Sequence, residues 1–420
     1  MRVTIEKSDI RGKATAPPSK SYTIRSLMCA ALARGGSEIV HPLYADDTEA
    51  AVRVLSDIGV GVERSKDLWQ ISGGSFRQPD ADLYCGDSAA TLRFMTAIGS
   101  IVPGKCRLTA GASLAGRPVG PLVEALRRLG VDCSSDNGVA PVIVNGGRLK
   151  GGETELSGDV SSQFLSALLL VSPFAEEGMH IRLTTPLESK PYVAMTLDSM
   201  ARFGINVTAS AGMDDFYTAK QTYQPTSYEV EGDWSSASYL LALGAVMEGM
   251  EVENLNSQSL QSDRAMLDFL RRMGAEVEVS PEAIRVRGSK LKALRADLSD
   301  CIDLLPTVAV LAVVAEGTSE FEGIGRARLK ESNRVEAVRE GLERMGIKVA
   351  EEENRMTITG SNLKSAVVDS HDDHRIAMAF SILGTLVGNT TINNAECVKK
   401  TFPEFWDILK SIGGRLKIDG

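Results

Sequence analysis

Five short segments carry groups that bind anions and move protons. PSKSYTIR (18–25) sets Lys20, Ser21 and Arg25 within two helical turns. VSSQFLSALL (160–169) opens with Ser161, Ser162 and Gln163. RLKESNR (328–334) supplies Lys330, Glu331 and Arg334, DDHRIAMAFS (372–381) supplies His374 and Arg375, and KTFPEF (400–405) starts with Lys400. Guanidinium forks suit phosphate and carboxylate. Asp303, Glu331 and one imidazole can pass protons without a metal. Taken singly these fragments are ordinary, because Arg and Lys at helix ends are usually solvated and Ser-Ser-Gln is a common cap. Their force comes from standing at the starts of segments of one kind.

Those segments belong to a repeat. AVRVLSDIG, LVEALRRLG, TLDSMARFG, AMLDFLRRMG, AVREGLERMG and FWDILKSIG each place apolar residues at helical spacing before a glycine. The glycines Gly59, Gly130, Gly204, Gly274, Gly346 and Gly413 recur about every 70 residues. Such a glycine fits the left-handed position after a helix, and an alternating, half-buried strand is expected to follow it. A second helix type interleaves, starting near Ser19, Gly86, Val160, Trp234, Asp303 and Asp373 and ending near Gly36, Gly104, Gly178, Gly249, Gly317 and Gly388. It is apolar on nearly every face and so is expected to be buried all round. Five of its six starts carry Ser or Asp, as N-caps require. Gathered helix N-termini would offer dipole ends and N–H groups to an anion.

The composition sets outer bounds. At 420 residues, two large domains are the simplest organisation. With 46 Lys+Arg against 55 Asp+Glu, the net charge of −9 argues against a general nucleic-acid or anionic-membrane binder. The N-terminal segment lacks the apolar stretch of a signal peptide. The longest apolar run, Leu304 to Ala315, contains Pro306 and is too short to span a bilayer. Cys29, Cys85, Cys106, Cys133, Cys301 and Cys397 form no CxxC pair, which reads as buried thiols in a reducing compartment. A cytoplasmic location is therefore expected. No Walker A motif, dinucleotide fingerprint or HExxH occurs, so nucleotide, NAD and zinc chemistry have no support, and neither cofactor nor metal is expected.

The motifs PSKSYTIR, GDSAATLR, GRPVGPL, VSSQFLSALL, SKPY, VEGDWSSASY, RLKESNR, DDHRIAMAFS and KTFPEF occur in this order. In them the chain resembles the 5-enolpyruvylshikimate-3-phosphate (EPSP) synthase family from Pro17 to Pro403. The resemblance implies an α/β, two-domain enolpyruvyl transferase fold of six βαβαββ repeats, three per domain, closing over an interdomain cleft. Residues 1–12 with 232–420 are expected to form one domain, the first strand returning to the C-terminal half, and 13–231 the other. The implied reaction moves the enolpyruvyl group of phosphoenolpyruvate to the 5-hydroxyl of shikimate-3-phosphate through a tetrahedral adduct that expels phosphate. The implied state is a monomer with small-molecule substrates.

Residue by residue, the resemblance implies shikimate-3-phosphate contacts at Lys20, Ser21, Arg25, Ser161, Ser162, Gln163, Ser189, Tyr192, Asp303 and Lys330. It implies phosphoenolpyruvate contacts at Lys20, Ala89, Arg117, Gln163, Arg334, His374, Arg375 and Lys400. Asp303, Glu331 and Lys20 are the implied catalytic groups, with Asp303 as base near the hydroxyl, Glu331 as acid near C3 of phosphoenolpyruvate, and Lys20 open to either. The chain departs from the family pattern GN(A/S)GT at Asp87 and Ala89, and from a family asparagine at Arg326. A methyl at Ala89, where a glycine lets backbone approach the ligand, is expected to weaken inhibition by the bulkier glyphosate.

Three alternatives stay open at this level. A UDP-N-acetylglucosamine enolpyruvyl transferase would carry a loop cysteine between Arg107 and Arg117 and a Lys-Asn pair at the first helix; this chain has neither. An RNA 3′-phosphate cyclase would use a C-terminal histidine and a basic surface. A non-enzymatic phosphosugar binder would need the arginines but not Asp303, Glu331 and Lys20 together.

Overall fold

The computed structural model describes residues 1–419. Two series of helices alternate along the chain. The first consists of α1 (Lys20–Leu32), α3 (Ala89–Ile98), α5 (Ser162–Val171), α7 (Trp234–Val246), α9 (Leu305–Val314) and α11 (His374–Val387). The second consists of α2 (Asp46–Asp57), α4 (Gly120–Arg128), α6 (Lys190–Arg202), α8 (Met266–Arg272), α10 (Arg334–Arg344) and α12 (Phe405–Ser411). The first series is buried on nearly all faces, as its apolar sequence requires. In α9, Val308, Val310, Leu311 and Val313 have almost no exposed surface. Each such side chain contributes about 1.5–3 kcal/mol of transfer free energy. The second series buries one stripe and shows charged residues outward.

Six four-stranded sheets share one pairing pattern, a parallel pair followed by two antiparallel neighbours. In one of them Ser227–Glu229 lies parallel to Gly35–Val40. Gly35–Val40 is antiparallel to Leu68–Gly73, which is antiparallel to Gly61–Ser65. In another, the strand next to Thr390–Asn393 comes from the far end of the chain: Arg2–Ile5 lies between Thr390–Asn393 and Leu416–Asp419, antiparallel to both. The glycines after α2, α4, α6, α8, α10 and α12 all have positive φ, from 80° at Gly204 to 106° at Gly413. Of the glycines expected to end the buried helices, Gly388 is the C-cap of α11, whereas Gly104 opens the next strand and Gly36 keeps ordinary backbone. A different glycine role appears at Gly73 and Gly146. A Cβ on either would collide with carbonyl oxygens at a helix end, of Ala30 and of Gly99 respectively, so only glycine lets helix and strand pack this closely.

The chain divides into two compact units, Met1–Pro17 with Glu231–Gly420, and Pro18–Val230. Each has its own apolar core. The first division thus falls between Pro17 and Pro18, later than the 12/13 boundary expected from the sequence. The reason is pairing: Gly12–Thr15 forms a parallel ladder with Met250–Glu253. At the second division Glu231 joins the C-terminal segment, where its carboxylate accepts hydrogen bonds from Asn256, Ser259 and Gln261.

Candidate functional site

Helix caps organise both polar sets. Ser19, Ser88, Ser161, Asp233 and Asp373 are the N-caps of α1, α3, α5, α7 and α11, each accepting a backbone N–H through its side chain. The start of α9 differs. The single turn Ile302–Leu304 precedes it, and that turn holds Asp303.

In the unit Pro18–Val230, Lys20 is the first residue of α1 and its Nζ lies 3.0 Å from Oδ2 of Asp47. Arg25 is 2% exposed. Its Nε donates to Thr196 Oγ1 (2.9 Å), and its two Nη atoms donate to the carbonyls of Ser21 (3.0 Å) and Tyr192 (3.1 Å). The guanidinium also lies over the rings of Phe94 and Tyr192. Ser189 precedes α6 in a left-handed conformation, φ 54°, just before Lys190 and Tyr192.

Arg93, which the sequence does not single out, is buried between two expected ligand groups. Its Nη1 donates to Ser161 Oγ (3.1 Å) and Gln163 Oε1 (2.8 Å), while Nη2 donates to the Pro118 carbonyl (3.1 Å). It therefore fixes two expected ligand groups and the backbone beside Arg117. The available signal was a lone arginine inside the apolar helix AATLRFMTAI. Ala89 is the first residue of α3 and is 6% exposed, and Asp87 Oδ1 accepts from the Ser113 N–H at 3.0 Å.

In the other unit, Arg334 is the first residue of α10 and is 1% exposed. Its Nη1 donates to Asp303 Oδ1 (2.6 Å), its Nη2 to Glu331 Oε2 (2.6 Å), and its Nε to Asp373 Oδ2 (2.7 Å). Arg375 Nη2 reaches Asp303 Oδ2 at 3.3 Å, and Lys330 Nζ lies 3.3 Å from Asp303 Oδ1. Ser332 donates to Asp373. Lys330 and Glu331 stand in the loop just before α10, at the front of the helix that Asn333 caps. Lys400 ends the turn Ala395–Lys400 and is 8% exposed. Arg326 Nη2 donates to the Ser299 carbonyl at 2.7 Å.

The charges balance in a definite way. Burial pushes the Asp303 carboxyl up, but Arg375, Lys330 and Arg334 outweigh it and hold the carboxyl well below its ordinary value. Burial lowers Lys330, with Asp303 acting against it. For Arg334, burial works against the charge, yet Asp373, Glu331 and Asp303 raise it further. Asp303 is thus a carboxylate held by three cations, a poor base until those cations are drawn elsewhere.

Three expected ligand contacts are enclosed: Arg25, Arg334 and His374. Arg25 and Arg334 make their hydrogen bonds to protein oxygens, as desolvated guanidinium groups must. His374 opens α11 with no exposed surface, its Nδ1 3.7 Å from Asp373 Oδ1.

Fold and site together define an α/β protein whose apolar helices present capped N-termini and paired guanidinium–carboxylate groups, the architecture of the enolpyruvyl transferases. The profile of the family described as EPSP synthase (3-phosphoshikimate 1-carboxyvinyltransferase) matches residues 5–409. The 3-phosphoshikimate 1-carboxyvinyltransferase of Dehalococcoides mccartyi is 45% identical over 421 residues, covering 100% of each chain. That of Methanosarcina mazei is 42% identical, covering 99% of each. The solved EPSP synthase of Acinetobacter baumannii superposes with a TM-score of 0.84 at 26% identity, covering 99% of this chain and 100% of that one. The enolpyruvyl transferase NikO from Streptomyces tendae shares the fold, with a TM-score of 0.78 at 17% identity. The chain belongs to the EPSP synthase family.

Proposed function

We propose that this chain transfers the enolpyruvyl group of phosphoenolpyruvate to the 5-hydroxyl of shikimate-3-phosphate, releasing phosphate, a step of the shikimate pathway toward aromatic amino acids. The observation that carries the mechanism is Arg334, whose guanidinium holds Asp303 and Glu331 at 2.6 Å each. The hydroxyl gives up its proton and attacks C2 of phosphoenolpyruvate while C3 gains a proton. The tetrahedral adduct then expels phosphate, and loss of a C3 proton restores the double bond. Asp303 is the base toward the hydroxyl, and Glu331 exchanges the C3 proton. Lys20, already beside Asp47, is the cation serving both substrates.

The site residues divide by substrate. Ser21, Arg25, Ser161, Ser162, Gln163, Ser189, Tyr192 and Lys330 hold shikimate-3-phosphate, and Arg93 positions two of them. Arg117, Arg334, Arg375 and Lys400 meet phosphoenolpyruvate, with Gln163 shared and His374 packed behind. A bound anion competes for Arg334 and Arg375, and so leaves Asp303 and Glu331 with less positive charge. The proton affinity of Asp303 then rises from its depressed value. Substrate thereby switches on its own base.

Protonation of C3 has an isotopic consequence. In deuterated water with both substrates, deuterium should enter the C3 methylene, because that carbon is protonated and deprotonated within each turnover. Turnover without deuterium in that methylene would rule out the C3-protonation route.

Ala89 carries the proposed glyphosate tolerance. Ala89→Gly should lower the glyphosate inhibition constant by about tenfold, with the KM for phosphoenolpyruvate changed much less. An unchanged inhibition constant would remove Ala89 from that explanation. The same reading has a cytoplasmic monomer. All six cysteines are free, and burial pushes Cys85 and Cys397 up to about 12. No helix among the described residues is long and apolar enough to cross a membrane.

A further inference from the structure

Two of the cations that meet phosphoenolpyruvate under the proposed function stand beyond the ends of neighbouring strands. Val367–Asp369 lies parallel to Thr390–Asn393, with Asp369 opposite Asn393. The first strand leads through residues 370–373 to Arg375 at the front of α11. The second leads to Asn394 and the turn Ala395–Lys400. The carboxyl ends of adjacent parallel strands are where α/β proteins hold ligands, so the spacing of these two loops matters to the site.

Hydrogen bonds in both directions tie the loops together. Asn394 Nδ2 donates to Asp369 Oδ1 at 3.1 Å, and the same oxygen accepts the His371 N–H at 2.8 Å. In return, Ser370 Oγ donates to the Asn394 carbonyl at 3.0 Å, and that carbonyl also accepts the Cys397 N–H (3.4 Å) inside the turn. The Ser370 carbonyl accepts the Asp373 N–H (2.9 Å), and Asp373 Oδ1 accepts the Arg375 N–H (3.0 Å). An unbroken run of bonds thus joins the start of the Lys400 turn to the start of the Arg375 helix. The backbone on both sides is held against its preference: φ is 53° at His371, 55° at Asp372 and 54° at Asn394. Residues with a side chain keep this left-handed region only where their surroundings hold them there. Ser370 has no exposed surface, so water cannot replace the bond it makes.

We infer that Asn394, together with Ser370, is a positioning residue for the transfer reaction, which fixes the spacing of Lys400 and Arg375 and through it the affinity for phosphoenolpyruvate. The inference rests on the proposed function, in which both cations meet that substrate. A small dianionic ligand needs its cations at hydrogen-bond distance together, so a shift of one loop against the other weakens binding. None of the groups assigned to shikimate-3-phosphate stands on these two loops, which confines the effect to one substrate.

The test measures KM for each substrate, kcat and Tm for the intact protein. Asn394→Gly accepts the left-handed backbone but removes the amide, and should raise KM for phosphoenolpyruvate about fivefold. KM for shikimate-3-phosphate should stay within about twofold of the parent. Asn394→Asp sets a second carboxylate against Asp369, and its KM for phosphoenolpyruvate should exceed that of the glycine variant. Ser370→Ala removes the return bond and should raise the same KM by about threefold or more, which decides the matter if the Asn394 variants do not fold. A merely structural role would lower Tm and leave both KM values alone or move them alike. An unchanged KM for phosphoenolpyruvate in Asn394→Gly, or in Ser370→Ala where the former does not fold, overturns the inference. So does an equal rise for both substrates, or an Asn394→Asp variant no worse than Asn394→Gly. Absence of turnover in the parent would instead overturn the functional reading beneath it.

Discussion

Arg334→Met is expected to abolish turnover and to destabilise the protein by about 3–5 kcal/mol, the usual consequence of removing one partner from a buried ion cluster. The side chain is enclosed and makes hydrogen bonds to Asp303, Glu331 and Asp373. Without it three carboxylates converge, and Asp373 is also the N-cap of α11. Methionine fills similar volume, so the loss reports charge and hydrogen bonding more than a cavity. The pH dependence can be predicted in sign. In the parent, Asp303 is held well below its ordinary value by Arg375, Lys330 and Arg334 against the opposing effect of burial. It therefore favours folding above about pH 4 and loses that contribution as pH falls through the depressed value. In the variant Asp303 keeps Arg375 and Lys330 but loses its third cation, so it takes up a proton at higher pH than in the parent. The stability deficit should narrow between about pH 8 and about pH 5 in denaturant titrations. A deficit that is constant across this range would mean that the cluster is not what Arg334 holds together.

Asp303→Asn is expected to lower kcat by about 10²–10⁴-fold while KM for both substrates stays within a few-fold. Asparagine keeps the shape but cannot take the hydroxyl proton, and its amide is neutral where Arg334, Arg375 and Lys330 now find a carboxylate. Glu331→Gln should behave likewise, with substrate affinity retained and turnover lost. That pattern separates an enzyme from a phosphosugar binder, which has affinity but no rate to lose. Rates within threefold of the parent for Asp303→Asn would remove Asp303 as the base.

Much of the fold was legible because two helix types differ in composition. Helices such as LPTVAVLAVV have no polar stripe, and GLERMG-type ends announce a left-handed glycine, which Gly346 adopts at φ 86°. The caps were legible too, as short Ser and Asp side chains before apolar runs. The sheet partners were less so. Gly12–Thr15 looked like a continuation into the next domain, and only its ladder with Met250–Glu253 assigns it elsewhere, a long-range pairing with no local signature. In the site, the residue types were visible but not their hydrogen bonds. The sequence makes Arg334 a ligand contact, whereas in the structure it also neutralises three carboxylates. Arg93 has no local signature because it stands alone among apolar neighbours, and its meaning comes from a partner about 70 residues away in sequence, Gln163.

The most direct measurement is release of inorganic phosphate by the purified protein given phosphoenolpyruvate and shikimate-3-phosphate together, and each alone. The account predicts release only when both are present, matched mole for mole by the enolpyruvyl ether of the shikimate phosphate. Release from phosphoenolpyruvate alone at the same rate, or no release with both, would contradict it.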